Sequence, residues 1–274
     1  MEIVRAIVLG IVQGLSEFLP VSSSGHLILV RDLFRWPDDG LAFDVGLHLG
    51  TLTALLVYFW REWLRMLTAM LSAWRRYGPH IRQHEPMAQL PWLLALGTVP
   101  AGIVGLLFGD WIEEHGREAW IVGVVLILFA GVMLVAERLG DRNRTLLGVG
   151  PVDAILIGVA QAVALIPGVS RSGVTISAAL FRGLTREDAA RFAFLLGTPT
   201  FIGAGILKAN DLRGESGSDA VQLLIGFFAS MVVGFAAIHG LLNFLRRRSL
   251  NSFAVYRVLI GGITLVAVGL AAVA

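Results

Sequence analysis

Two apolar regions of this chain, 3–34 and 152–182, are each broken near the middle by a polar turn, and nothing else in the sequence restricts the fold so strongly. The breaks read Pro20-Val21-Ser22-Ser23-Ser24-Gly25 and Pro167-Gly168-Val169-Ser170-Arg171-Ser172-Gly173. Proline removes a helical hydrogen bond and drives the residue before it out of the α region, while glycine permits a tight turn, so neither region forms one straight helix. Irregular backbone survives at membrane depth only inside protein or along a polar cavity. Each region is therefore expected as a re-entrant helix-turn-helix hairpin.

The two regions also match each other without a gap at an offset of 148 residues: Ala6/Ala154, Ile7/Ile155, Gly10/Gly158, Gln13/Gln161, Val21/Val169, Ser22/Ser170, Ser24/Ser172 and Gly25/Gly173. Leu49-Gly50-Thr51 answers Leu196-Gly197-Thr198 at an offset of 147, which carries the repeat into the segment that follows each hairpin.

Six further stretches, about 42–60, 91–109, 119–137, 189–208, 221–245 and 253–273, are long and apolar enough to cross roughly 30 Å of hydrocarbon as helices. Composition agrees with a bilayer: of 274 residues, 56% are hydrophobic and only 15% charged, against about 25% charged in an ordinary soluble domain. The mean hydropathy is +0.75. The expected fold is an all-α polytopic membrane protein of six transmembrane helices and two re-entrant hairpins. It forms a single membrane domain over 1–274, with a first repeat over 1–137 and a second over 152–274.

Three spans per half is an odd number, so the second copy enters from the opposite face as an inverted-topology repeat. The charges follow that arrangement. Arg61, Arg65, Arg75, Arg76 and Arg82 in 61–90, Arg138, Arg142 and Arg144 in 138–150, and Arg246, Arg247 and Arg248 in 246–252 all fall on one side. The opposing loops, 110–118 with Glu113 and Glu114 and 209–220 with Asp211, Glu215 and Asp219, are mainly acidic. The positive-inside rule then places both termini outside. Met1–Leu15 lacks a basic start and a small-residue cleavage site, so it is expected to be mature protein. The absence of cysteine excludes disulfides and thiolate chemistry, and short arginine clusters between apolar segments are a poor match to nucleic-acid binding.

Opposed hairpins bring their tips together in a composite site. The first tip supplies Gln13, Glu17, Ser22, Ser23, Ser24 and His26; the second supplies Gly168, Ser170, Arg171, Ser172, Gly173 and Thr175. A carboxylate or guanidinium within an apolar segment costs about 2.5–3.5 kcal/mol on insertion scales, so Glu17 and Arg171 each require a partner or a task. Gln13 and Glu17, four residues apart, share a helical face and are candidate oxygen ligands for Mg²⁺ or Ca²⁺; the plainer alternative is a structural Glu17–Arg171 ion pair. Arg171 offers a planar fork to phosphate oxygens, Gly168 and Gly173 permit close backbone approach, and Ser170, Ser172 and the following helix start suit an anion. Serine capping with a snorkelling arginine is the alternative there. His26 lies close enough in sequence to the serines to act as a base or as a nucleophile on phosphorus. His48, His80, His84, His115 and His239 are assigned to packing or solvation, and Thr185-Arg186-Glu187-Asp188 to a helix capping box. Trp60, Trp63, Trp92, Trp111 and Trp120 are assigned to interfacial anchoring.

Gln13-Gly14-Leu15-Ser16-Glu17, Pro20 to His26, and Pro167-Gly168-Val169-Ser170-Arg171-Ser172-Gly173-Val174-Thr175 together resemble the motifs of the undecaprenyl-diphosphate phosphatase family of the bacitracin-resistance type, in order and spacing across essentially the whole chain. The resemblance implies removal of the terminal phosphate of undecaprenyl diphosphate, which returns the carrier lipid to peptidoglycan synthesis. It also implies a divalent cation and a site opening to the outer face of a bacterial inner membrane. It casts Glu17 as metal ligand, Arg171 as diphosphate clamp, and Ser23 and His26 as nucleophile and partner. Gln13 stands where some members carry Glu, which removes one negative charge from any metal site. Expected partners are the polyprenyl diphosphate lipid, membrane lipids and a second copy in a homodimer. A transporter moving polyprenyl phosphate through the same inverted-repeat site is the rival function.

Overall fold

The computed structural model describes residues 2–37, 40–116, 118–208 and 220–271. It is helical throughout: α1 Glu2–Phe18, α2 Ser23–Phe34, α3 Leu41–Tyr58, α4 Trp60–Tyr77, α5 Pro86–His115, α6 Ala119–Leu139, α7 Pro151–Val163, α8 Arg171–Phe181, α9 Arg186–Lys208, α10 Ala220–Leu245 and α11 Asn251–Ala271. Among the described residues there is no strand, only an isolated bridge between Arg144 and Leu184. The chain is a polytopic membrane protein.

Five of the six expected spans are helices long and apolar enough to cross a bilayer: α5, α6, α9, α10 and α11. The sixth is different. α3 meets the requirement only together with α4, from which it is bent by 66° at Phe59. Much of the expected loop 61–90 is thus helix, and Trp60, placed at a span end by its sequence context, begins that helix. The acidic loop with Asp211, Glu215 and Asp219 lies outside the described residues.

Both broken regions fold as pairs of short helices packed on each other, α1 with α2 and α7 with α8, and their turns are built alike. Ser22 (φ 79°) and Ser170 (φ 68°) both sit at positive φ, and both cap the next helix by accepting from the amide three residues on, Gly25 at 3.4 Å and Gly173 at 3.2 Å. A serine held in the left-handed region stores strain of order 1–3 kcal/mol, tolerated where the surroundings over-determine it. Here they do. The buried guanidinium of Arg257 on α11 donates to the carbonyls of Val169 and Gly168 at 2.9 Å and to that of Pro20 at 3.4 Å, so one side chain ties both turns together.

Helix partners are exchanged between halves. α1 packs on α10 and its counterpart α7 packs on α5, each through the matched glycine. A Cβ on Gly10 would lie 2.7 Å from Ala229 Cβ and 2.8 Å from the Gly226 carbonyl oxygen, and one on Gly158 would collide with the Gly97 carbonyl. With no hydrophobic drive between helices in lipid, such close backbone approach is what holds them. A large core including Phe18, Leu55, Phe59, Phe192 and Leu196 lies beneath the hairpins. At the arginine-rich end, buried Glu137 pairs with Arg186 at 2.7 Å and Arg142 at 3.2 Å, and Asp153 with Arg182 at 2.6 Å and Arg144 at 2.7 Å. Half of the expected capping box forms: Thr185 Oγ1 accepts from the Asp188 amide at 3.2 Å, but the Thr185 amide donates to the Arg144 carbonyl at 2.9 Å and not to an acidic side chain.

Candidate functional site

α1 ends one residue after Glu17, and Gln13 lies one turn earlier on the same face; both are buried, at 7% and 0% exposure. Ser23 opens α2 and donates from Oγ to Glu17 Oε2 at 2.6 Å, and Gln13 Nε2 donates to the same oxygen at 2.9 Å. The other carboxylate oxygen, Oε1, is paired with Nη2 of Arg171, the first residue of α8. The carboxylate of one hairpin and the guanidinium of the other therefore meet, as their costs in hydrocarbon require. Arg171 is held from behind as well, its guanidinium carbon 3.5 Å from the centre of the Phe201 ring. Ser172 Oγ donates to the Leu19 carbonyl at 3.1 Å, a second direct bond between the tips.

Beside this constellation is a narrow cleft open to the outside, with Glu17, Arg171 and Ser172 on its polar wall and Leu55, Phe194 and Phe201 on its apolar wall. Ionic groups facing aromatic surface suit a ligand with an anionic head and a hydrocarbon tail.

The remaining expected site residues divide into two groups. Gly168, Ser170, Gly173 and Thr175 build the second turn: Gly168 takes φ 93° and presents its carbonyl to Arg257, Ser170 caps Gly173, and Thr175 Oγ1 donates to the Arg171 carbonyl at 2.6 Å. Ser22 is buried as a cap with its Oγ 3.4 Å from that of Ser24, which is exposed. His26 does not bond to Ser23. Its Nδ1 is 2.7 Å from the Ser22 carbonyl and its Nε2 2.7 Å from the Tyr256 hydroxyl, with the two rings stacked at 5.6 Å. Ser23 is engaged by Glu17 instead, because the turn carries the start of α2 over the end of α1.

Three residues at or around the site escaped sequence reasoning. His48, assigned to packing, places Nε2 3.8 Å from Glu17 Oε2 while its Nδ1 bonds the Asp44 carbonyl at 2.8 Å. Its signal was its position one residue before the repeated Leu-Gly-Thr block, whose second copy supplies Gly197 to the cavity. Arg257 was legible as the lone charge within the last span, and an intramembrane charge is a functional candidate by default. Tyr256 carried no signal.

Gln13 Oε1 is buried without a partner. Gln13 and Glu17 together offer oxygen donors, although it is Gln13 Nε2 that faces the carboxylate, and among the described residues no three His, Asp or Glu side chains gather around one point. That set suits a hard cation whose remaining ligands come from a phosphorylated substrate, as Mg²⁺ commonly binds.

Sequence comparison agrees with the motifs. An undecaprenyl-diphosphatase of Desulforudis audaxviator (strain MP104C) is 47% identical over 257 residues, 94% of each chain. Those of Thermomicrobium roseum (44% over 281 residues, 99% of this chain and 100% of the relative) and Teredinibacter turnerae (41% over 269 residues, 98% and 100%) match over essentially full length. The family described as bacitracin resistance protein BacA matches residues 6–263, and this chain belongs to it.

Proposed function

We propose that this protein hydrolyses undecaprenyl diphosphate to undecaprenyl phosphate and inorganic phosphate, recycling the carrier lipid for peptidoglycan synthesis and giving bacitracin resistance. The observation that carries the reading is the continuous chain Arg171–Glu17–Ser23 across the two hairpin tips, at the rim of a cavity with one ionic and one aromatic wall. An anion clamp, a carboxylate and a hydroxyl within bonding reach of each other are the parts that phosphoryl transfer uses, since its catalysis is mostly positioning and charge stabilisation.

Diphosphate competes with Glu17 for Arg171. Incoming diphosphate oxygens take over the Arg171 donors, while stacking on Phe201 keeps the guanidinium plane in place. Glu17, released from Arg171, accepts the Ser23 proton along the existing 2.6 Å hydrogen bond. Ser23 Oγ attacks the terminal phosphorus and the lipid monophosphate leaves. Water then cleaves the phosphoserine, and Glu17 returns the proton to Ser23 Oγ. His26, fixed by the Ser22 carbonyl and Tyr256, orients the start of α2 and is the rival nucleophile. A divalent cation, Mg²⁺ or Ca²⁺, held by Glu17 and Gln13 Oε1, would neutralise diphosphate charge when bound.

The hairpins are read as re-entrant and the two halves as inverted repeats, supported by the identical serine caps and the exchanged helix partners. The family resemblance supports a bacterial inner-membrane protein with its site opening to the outer face, and the positive-inside rule puts the arginine-rich loops on the inner face.

Phosphate release from undecaprenyl diphosphate by the purified protein, with and without chelator, tests the reaction and the metal together. A pure transporter releases none. Near-normal release by Ser23→Ala ends the serine mechanism in favour of His26.

A further inference from the structure

α4 divides into three longitudinal sectors, and each meets a different environment. Trp63, Met66, Met70, Ala73 and Tyr77, spaced at helical intervals, are buried or half-buried, and the helix packs on α5. Trp60, Leu64, Leu67, Leu71 and Trp74 form a second stripe at the same spacing, and every one is exposed, from 44% to 56%. The third sector carries Arg61, Arg65, Thr68, Ser72 and Arg76, all exposed, and Arg75 borders the apolar stripe. The one acid of the helix, Glu62, is already paired with Arg191 at 2.7 Å, so the charge that α4 exposes is cationic, beside the apolar stripe and the hydroxyls of Thr68 and Ser72.

The position of α4 supplies what the stripe alone lacks. The helix continues directly from α3 and turns away from it by 66° at the arginine-rich end of the molecule. A bend of that size breaks the span, and an exposed face divided between apolar residues and arginines is the pattern of a helix lying in the interface, apolar stripe toward the acyl chains and arginines at headgroup level. Two cation–aromatic contacts, Arg61 over Trp60 at 5.2 Å and Arg76 over Tyr77 at 5.3 Å, sit near its two ends.

We propose that α4 is a docking surface for anionic phospholipid: it lies in the interface of the leaflet at the arginine-rich face, and Arg61, Arg65, Arg75 and Arg76 bind the phosphate-bearing headgroups there. Guanidinium forks match phosphate oxygens in geometry as well as charge. This lipid surface is separate from the hairpin cavity, and its lipid is a partner and not a substrate. Because α3 carries His48 beside Glu17 and runs without a loop into α4, docking also holds one wall of the site against the membrane.

The absence of cysteine makes the test direct. Nitroxide labels on Leu67→Cys and Ser72→Cys, placed in the full chain in nanodiscs of phosphatidylcholine with added phosphatidylglycerol, report depth. The Leu67 label is expected to be reached by oxygen and shielded from a water-soluble nickel chelate, and the Ser72 label to be reached by the chelate. Phosphatidylglycerol retained by the purified protein from mixed bilayers is expected to fall at least fivefold in a variant carrying Arg61→Gln, Arg65→Gln, Arg75→Gln and Arg76→Gln. Fivefold is the loss from about 1 kcal/mol, the contribution of a single arginine near the surface. Chelate access to the Leu67 label equal to that at Ser72 overturns the proposal. So does shielding of that label from both agents, which signals a protein cover such as a second copy. Unchanged phosphatidylglycerol retention in a quadruple variant whose melting temperature is intact overturns the headgroup assignment.

Discussion

At the level of single residues, the site depends on one carboxylate with several partners. Glu17 receives Ser23, Gln13 and Arg171 and has His48 nearby, so the proposed roles of base and cation ligand fall on one side chain and would be coupled. Glu17→Gln keeps the shape and removes the charge. Phosphate release is expected to fall by about 10²–10⁴-fold, the range for losing a positioned base, which a single-turnover assay will read. Arg171→Lys retains a positive charge but loses both the fork and the plane that stacks on Phe201. KM for undecaprenyl diphosphate is expected to rise at least tenfold, because lysine cannot replace a bidentate, stacked guanidinium. Sequence spacing grouped Glu17, Ser23 and His26 but joined Ser23 to His26, whereas the fold joins Ser23 to Glu17. Contacts between residues a few positions apart depend on how a turn rotates the next helix, and that rotation is not written in residue order.

Among the elements, the two turns matter most, and Arg257 is their common tie. Arg257→Met would strand the carbonyls of Gly168, Val169, Pro20 and Leu126 that it now serves. At about 1–3 kcal/mol per buried unsatisfied group, a fall of several degrees in the melting temperature is expected, together with weaker diphosphate binding as the tips loosen. Gly158→Val tests the helix crossing. Its side chain has no space against the Gly97 backbone, so α7 must move off α5, and the purified yield and melting temperature are both expected to fall. The hairpins themselves were legible, since proline and glycine interruptions in apolar runs have few outcomes in a membrane. The bend between α3 and α4 was not, because an arginine-rich amphipathic helix reads as a cytoplasmic loop when only mean hydropathy is followed.

For the molecule as a whole, charge is distributed between a buried centre holding Glu17, Arg171 and Arg257 and a heavily paired arginine-rich end. Asp153 lies at that end, outside the long spans. Burial pushes its pKa up, but hydrogen bonds from Arg144, the Gly150 amide and Arg182 outweigh this and hold it at about 2, against an ordinary 3.8. A depressed folded pKa means that the group adds stability above its unfolded value and loses it as pH falls from about 4 toward about 2. Asp153→Asn is therefore expected to lower the melting temperature at neutral pH and to flatten its decline over that acid window. The repeat also predicts topology: a membrane-impermeant thiol reagent should label Glu114→Cys from one side and Ser249→Cys only from the other.

From the sequence alone came the membrane class, the two hairpins, the repeat and the family, because each is carried by residue type and spacing along the chain. Only the tertiary structure decided that Glu17 rather than His26 engages Ser23, that His48 joins the site, that Arg257 ties the tips and that α4 turns aside from α3. Each of these is a contact or an angle between elements, set by how glycine-lined helices pack across the two halves, and local pattern holds no record of it.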